Sequence, residues 1–240
     1  MIVIFAVIHL RGIGRDLQLY THWKFSSAHF RLILVQSIPL IVQYSFSILC
    51  WLFFYTLIEH HGQLDLAISN TMRNLFGIFG VVIWAFGSAT VAMVSNIIGQ
   101  GREDQVMGLA WKIVKLCLPF PILMVTLLNL FPGLFLSIYG QSAGFTQAAV
   151  PVIRVISVAL VLMSFGRIWL NTVVGTGRSK ASLVIELGTL VFYCLYSYLV
   201  LERWRMSIVW GWLSEILFWV LIFVFSYGYM RSGRWKGKMI

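Results

Sequence analysis

The sequence predicts an all-α, polytopic membrane protein, a six-helix transmembrane bundle over residues 32–230. Three observations lead there. Of 240 residues, 60% are hydrophobic and 11% charged, whereas an ordinary soluble domain carries about a quarter charged residues. Residues 32–58 and 74–99 contain no charge at all, and a helix of about 20 such residues crosses a hydrocarbon core of roughly 30 Å. The 10 Trp, 9 Tyr and 18 Phe suit lipid-facing and interfacial positions.

Each element follows in order. Residues 1–10 are apolar but too short to span. A signal peptide places its positive charge before the apolar run and a small-residue cleavage site after it; here Arg11 follows and no such site exists. The expectation is the tail of a preceding, truncated transmembrane helix. Residues 11–31 form a basic connector with Arg11, Arg15, Lys24 and Arg31. Spans are then expected at 32–58, 70–98, 109–131, 147–173, 181–201 and 207–230, and a basic tail at 231–240. Between the second and third spans stands the knot Gly99-Gln100-Gly101-Arg102-Glu103-Asp104. Its glycines permit helix termination, and Glu103 and Asp104 sit where the next helix's positive dipole end favours acids. A solvated turn without chemistry accounts for it.

Lys and Arg segregate between alternate loops. One side receives Arg11, Arg15, Lys24, Arg31, Arg102, Lys112, Lys115, Arg178, Lys180, Arg231, Arg234, Lys236 and Lys238; the other holds Arg203 and Arg205. The positive-inside rule places the first set in the cytoplasm, with the N-terminal connector and C-terminus both cytoplasmic in a cell (inner) membrane. The net charge of +10 therefore reports orientation in a lipid bilayer and does not call for a nucleic-acid partner. Cys50, Cys117 and Cys194 lie far apart in apolar runs. They are expected as packing residues, without metal or disulfide spacing.

Three ordered motifs are more particular than six spans. Ser37-Ile38-Pro39 lies in the first, and Val94-Ser95-Asn96-Ile97-Ile98-Gly99-Gln100-Gly101 ends the second. Asn171-Thr172-Val173-Val174-Gly175-Thr176-Gly177-Arg178-Ser179-Lys180 follows the fourth. Together they resemble the second half of a multidrug and toxin extrusion (MATE) transporter, over about residues 20–235. That family has a proline-containing helix, a G-x-G hairpin and an N-x-x-x-G-x-G turn in this order. The resemblance implies twelve helices in two six-helix lobes, exporting amphiphilic or cationic small molecules by alternating access. Na⁺ or H⁺ would drive the cycle, with no cofactor beyond the coupling ion. This chain would be the C-terminal lobe, residues 1–10 the end of the sixth helix, and the missing N-terminal six-helix lobe its partner. One lobe has no opposing wall for a central cavity, so the chain is expected not to transport alone.

Charges inside a bilayer are costly and tend to face a cavity or a partner. Glu186 and Glu215 are the two acids placed there, to bind a cation, exchange a proton or attract a cationic substrate. The competing expectation is ion pairing, Glu186 with Arg167 and Glu215 with Arg154. Some family members carry an acid on the first helix of this half, a few residues after its proline. Here residues 39–47 offer only neutral polar groups, among them Gln43 and Ser47. These two share a face at i, i+4 and either line a cavity or bond between helices, while Pro39 can bend the span and free a carbonyl. Asn70 and Arg73 begin the second span, facing the cavity mouth or, for Arg73, snorkelling to headgroups. Asn171 opens the third motif and joins the binding candidates.

Glu59-His60-His61 reads as a solvated loop, not a metal site. Gly175-Thr176-Gly177 lacks the strand–turn–helix context of a dinucleotide site. No paired nucleophile and base, nor a metal triad, points to an enzyme. Two other readings stay open. One is an exporter of lipid-linked oligosaccharides, with Arg73, Arg154 and Arg167 making its cavity cationic; the other is a non-transporting remnant or subunit.

Overall fold

The computed structural model describes residues 26–137 and 143–236. Its contacts divide the chain into two units, residues 1–37 and 38–240; of the first, the described part is essentially the beginning of one helix. The expected 1–10 tail, most of the 11–31 connector and residues 237–240 of the basic tail lie outside the described residues.

The described residues form helices joined by short turns: α1 (Ser27–Glu59), α2 (Gln63–Gly99), α3 (Val106–Cys117), α4 (Pro119–Leu130), α5 (Pro132–Ser137), α6 (Ala143–Gly175), α7 (Ser179–Ser197) and α8 (Ile208–Arg231). A 3₁₀ turn, Glu103–Gln105, leads into α3, and a π-helical stretch, Tyr198–Arg203, extends α7. Six segments are long and apolar enough to cross a membrane: Ser27–Glu59, Gln63–Gly99, Glu103–Leu130, Gly144–Gly175, Ser179–Arg203 and Ile208–Arg231. They coincide with the six expected spans, and most run several residues further at one or both ends. The uncharged tracts mark what lipid can cover, while helices continue until a turn stops them.

The third span departs from expectation, because 109–131 is two helices that meet at Leu118. Pro119 and Pro121 cannot donate a backbone N–H, and a proline ring clashes with the carbonyl one turn earlier. Leu118 N–H still reaches the Val114 carbonyl at 3.0 Å, and Ile122 N–H reaches that of Leu118 at 3.2 Å. Leu118 itself keeps helical dihedrals, φ −54° and ψ −40°, so the segment does not unravel. Pro39 and Pro151 lie inside α1 and α6, which stay helical through them.

The knot closes α2 in a defined way. Arg102 N–H bonds the Ile97 carbonyl at 3.1 Å and Gly101 N–H that of Ile98 at 2.9 Å. Gly101 takes φ +72°, the left-handed angle this helix-ending motif requires. Gly99 does not share that role; it is the last helical residue. Gly177 repeats the device after α6, at φ +75°.

α6 is the centre, packed chiefly against α2 and α8. Ala149, Ile153, Ile156, Leu160 and Met163 form its buried stripe, and a helix covered on several sides needs no polar face. It comes close to α2 at Gly175. A Cβ there would lie 2.8 Å from Val94 Cβ and 3.0 Å from the Val91 carbonyl oxygen. Ser95 Oγ donates to the Gly175 carbonyl at 3.0 Å across the same contact.

α1 is held differently. Most of it is exposed, including Ile41, Ile48 and Leu52, and large side chains bridge it to its neighbours. The Phe54 ring stands 5.5 Å from that of Trp212 and 5.9 Å from Tyr193. Tyr55 donates its hydroxyl proton to the Ser69 carbonyl at 2.9 Å. The loop expected to be merely solvated also ties α1 down: His60 Nδ1 meets Glu202 Oε2 at 2.9 Å, and His61 Nε2 donates to the Leu201 carbonyl at 2.9 Å.

Cys50 and Cys194, both free thiols, bring their Sγ atoms to 3.2 Å between α1 and α7. Separation along the chain concealed this contact. Copper-phenanthroline oxidation of the membrane-embedded protein is therefore expected to join them. Alkylation after unfolding should then find one thiol, Cys117, and a Cys194→Ser variant should keep both of its thiols. Three alkylated thiols after oxidation of the unmodified chain would show that α1 does not lie on α7 as described.

Candidate functional site: a buried carboxylate beside an arginine-lined cavity

α7 carries Ser182 and Glu186 one turn apart, on one face. Glu186 is only 5% exposed. Its carboxylate accepts hydrogen bonds from the Gln43 amide and the Ser47 hydroxyl of α1. The other end of the Gln43 amide is also used, because its Oε1 accepts from Ser182 Oγ at 3.1 Å. Ser47 further reaches the Gln43 carbonyl at 3.1 Å, and Ser182 the Ser179 carbonyl at 2.8 Å. The i, i+4 pair on α1 is thus a receptor for the acid of α7. Residues 39–47 of α1 carry no carboxylate, and α7 brings Glu186 against Gln43 and Ser47.

Gln43 also lines a partly open cavity of about 370 Å³. Around it stand Tyr44, Trp84, Ser88, Arg167 and Asn171, with aliphatic side chains between them. Arg167 Nη2 donates to the Tyr44 hydroxyl at 3.3 Å, and its guanidinium carbon lies 5.8 Å from the Trp84 ring centroid, within cation–π reach. Asn171 Nδ2 donates to the Arg167 carbonyl at 2.8 Å. Gly87 makes room for both: a Cβ there would sit 2.9 Å from Asn171 Nδ2 and 3.1 Å from Arg167 Cγ.

Neither expected Glu–Arg ion pair forms. Among the described residues, the one contact within ion-pair distance joins His60 to Glu202. Arg167 and Glu186 lie at similar depth, roughly 10–12 Å from the same end of the bundle at 1.5 Å per residue. Their helices do not bring them into ion-pair contact, and the carboxylate is held by Gln43 and Ser47 instead. Arg154 points outward and is exposed, while Glu215 is 3% exposed on α8. The neighbours of Glu215 are the Tyr193 hydroxyl and the Trp219 indole. Both donors are buried and complete no hydrogen bond, as is Ser214 Oγ.

Asn70 is exposed two turns inside α2, not at its start, because that helix begins at Gln63. Arg73 is exposed as well, 5.2 Å over the Tyr55 ring. Neither lines the cavity. The structure therefore joins Gln43, Ser47 and Glu186 in one network, joins Gln43, Asn171 and Arg167 in one cavity, and leaves Asn70, Arg73, Arg154 and Glu215 apart. Sequence reasoning missed Ser182, which the i−4 spacing from Glu186 signals. It also missed Tyr44, Trp84 and Ser88, for which periodicity gives no sign.

The MatE family model matches residues 39–199. No curated protein matches the chain. Solved structures do. A multidrug resistance MATE family transporter of the MOP superfamily, in an outward-facing conformation, has a TM-score of 0.80 at 16% identity, covering 89% of this chain and 48% of that chain. A MOP superfamily transporter from Pyrococcus furiosus, described by a reverse polarity of its binding pocket, gives 0.80 at 18%, over 90% of this chain and 49% of that one. A MATE protein in the straight conformation gives 0.83 at 14%, over 96% and 54%. At these identities the likeness is one of fold, and the chain spans about half the length of the structures it matches.

Proposed function

The chain belongs to the MATE transporter family, and from that premise we propose that it is the C-terminal half of a cation-coupled exporter of amphiphilic small molecules. It would work by alternating access in the cell membrane, with an N-terminal six-helix half as partner and Na⁺ or H⁺ as coupling ion. The observation that carries this reading is the buried Glu186 carboxylate, held on α7 by Gln43 and Ser47 of the sparsely packed α1.

The arrangement offers a physical route from ion binding to movement. A proton or Na⁺ arriving at Glu186 neutralises the charge that strengthens the two hydrogen bonds from α1. Loading the site therefore weakens the tie between α1 and α7, and the two helices respond together. A ligand shifts a conformational equilibrium only by its differential affinity for the two states, and here the difference is the pair of hydrogen bonds lost or kept. Hydrogen bonds to a charged group contribute about 1.5–3 kcal/mol each, enough to move a balance of a few kcal/mol. Glu186 and Ser182, both on α7, would supply oxygen atoms to the ion.

The oligosaccharide-exporter reading draws less support. Of the three arginines it invokes, only Arg167 is among the residues lining the cavity.

Efflux from inverted membrane vesicles containing this chain and its partner half tests the proposal. A fluorescent amphiphile should accumulate under an imposed Na⁺ or H⁺ gradient and leak back when that gradient is collapsed. Accumulation that survives collapse of both gradients would remove ion coupling from the account.

A further inference from the structure

Among the described residues, Arg167 is the only formally charged one lining the cavity, and its compensation is incomplete. No carboxylate of the described residues lies within ion-pair distance of it. One of the guanidinium's several N–H donors is committed, to Tyr44. Its Nε is buried without an acceptor. Glu186 does not line the cavity, accepts from Gln43 and Ser47, and makes no ion pair with Arg167. A positive charge at this depth in a bilayer is costly unless something pairs with it. Gly87 leaves space for the side chain, and the Trp84 face steadies it without neutralising it.

We propose that this cavity binds an amphiphile through an anionic oxyanion head, which Arg167 holds while Trp84 and the aliphatic wall take the apolar body. The inference deepens the exporter reading, and rests on it for the idea that the bound molecule is a substrate. Guanidinium geometry matches the two oxygens of a carboxylate or phosphate. The Asn171 side chain and the Ser88 hydroxyl stand beside it as further polar groups. A volume near 370 Å³ falls at the small end of ligand pockets, about 300–1,000 Å³, and suits a head and part of one chain. A cationic head would be repelled by Arg167 at the same position.

The test uses the whole chain in phosphatidylcholine nanodiscs with two probes that share a dansyl-labelled eleven-carbon tail. One ends in a carboxylate and the other in an ammonium group. Energy transfer from protein tryptophan reports binding, with empty discs as the partition baseline. The carboxylate probe is expected to bind at least about tenfold more tightly than the ammonium probe, a modest demand on a charge–charge difference in low dielectric. Arg167→Gln should erase that preference and Arg167→Lys should keep part of it.

An ammonium probe that binds equally or better, or a preference that persists in Arg167→Gln, would overturn the assignment. If Arg167→Gln does not fold, the wild-type preference decides alone, and Trp84→Phe should lower the transfer efficiency. Adding phosphatidylglycerol to the discs separates sources: displacement of the carboxylate probe identifies a lipid headgroup, and its retention a free amphiphile. Either result supports the oxyanion site. The measurement needs no ion gradient, so its failure leaves ion-driven efflux untouched, and failed efflux leaves the binding result standing.

Discussion

Glu186→Gln is expected to reduce ion-driven efflux to the level of empty vesicles while the bundle stays folded. Glutamine keeps the shape of the side chain and an oxygen for Ser47 or Gln43 to donate to. It loses the ability to take up a proton or to neutralise a cation. One charge moving through 100 mV is worth about 2.3 kcal/mol, which sustains roughly a forty-fold gradient at 1.4 kcal/mol per tenfold. The variant should sustain none. Glu186→Asp keeps the charge but withdraws it by one methylene from Gln43 and Ser47, so intermediate coupling is expected. Continued formation of the Cys50–Cys194 disulfide in each variant would show that α1 still rests on α7. A purely structural role for Glu186 predicts the reverse order, with glutamine better tolerated than aspartate. Undiminished flux in Glu186→Gln would remove this carboxylate from the coupling step.

The fold was legible because its signal is long-range along the chain and needs no partner. An uncharged tract of more than 20 residues reads as a span whatever it packs against, and all six were found. The break at Leu118 was missed because hydropathy is blind to Pro119 and Pro121, although the two prolines announce it once geometry is asked for. Half of the site was legible too. Glu186 stands out as a charge in lipid, and Gln43 and Ser47 as an i, i+4 polar pair. That the pair receives the acid depends on the rotation of α7 about its axis, which packing against α8 decides. The same limit explains the ion pairs. Arg167 and Glu186 share a depth, and depth is readable by counting residues. Azimuth is not, and Gln43 stands where the guanidinium was expected.

The N-x-x-x-G-x-G motif shows why a pattern can be read before its reasons are known. Asn171 lines the cavity, Gly175 permits contact between two helices, and Gly177 supplies a left-handed turn. Three different physical demands fall within seven residues because α6 ends there while still touching α2. The motif is therefore separable by mutation.

Gly175→Ala is expected to destabilise the bundle by about 1–3 kcal/mol, the usual cost of overpacking, and Gly175→Val by more. The added Cβ meets Val94 Cβ at 2.8 Å and the Val91 carbonyl oxygen at 3.0 Å. Both atoms belong to the α2 framework, so relief requires the helices to separate and stretches the Ser95–Gly175 hydrogen bond. Gly188, inside α7, provides the opposite sign, since a Cβ there meets nothing within 4 Å. Alanine at Gly188 should stabilise by about 0.5–1 kcal/mol through helix propensity alone. Unfolding in mixed micelles measures both, and equal effects at the two sites would show that α2 and α6 do not approach as described. The consequence extends to the cavity. Gly87 touches Arg167 and Asn171 across the same α2–α6 seam, so prising the seam apart at Gly175 should loosen their placement. Gly175→Val should accordingly weaken the carboxylate probe's preference even in the fraction that remains folded, whereas Gly188→Ala should leave it intact.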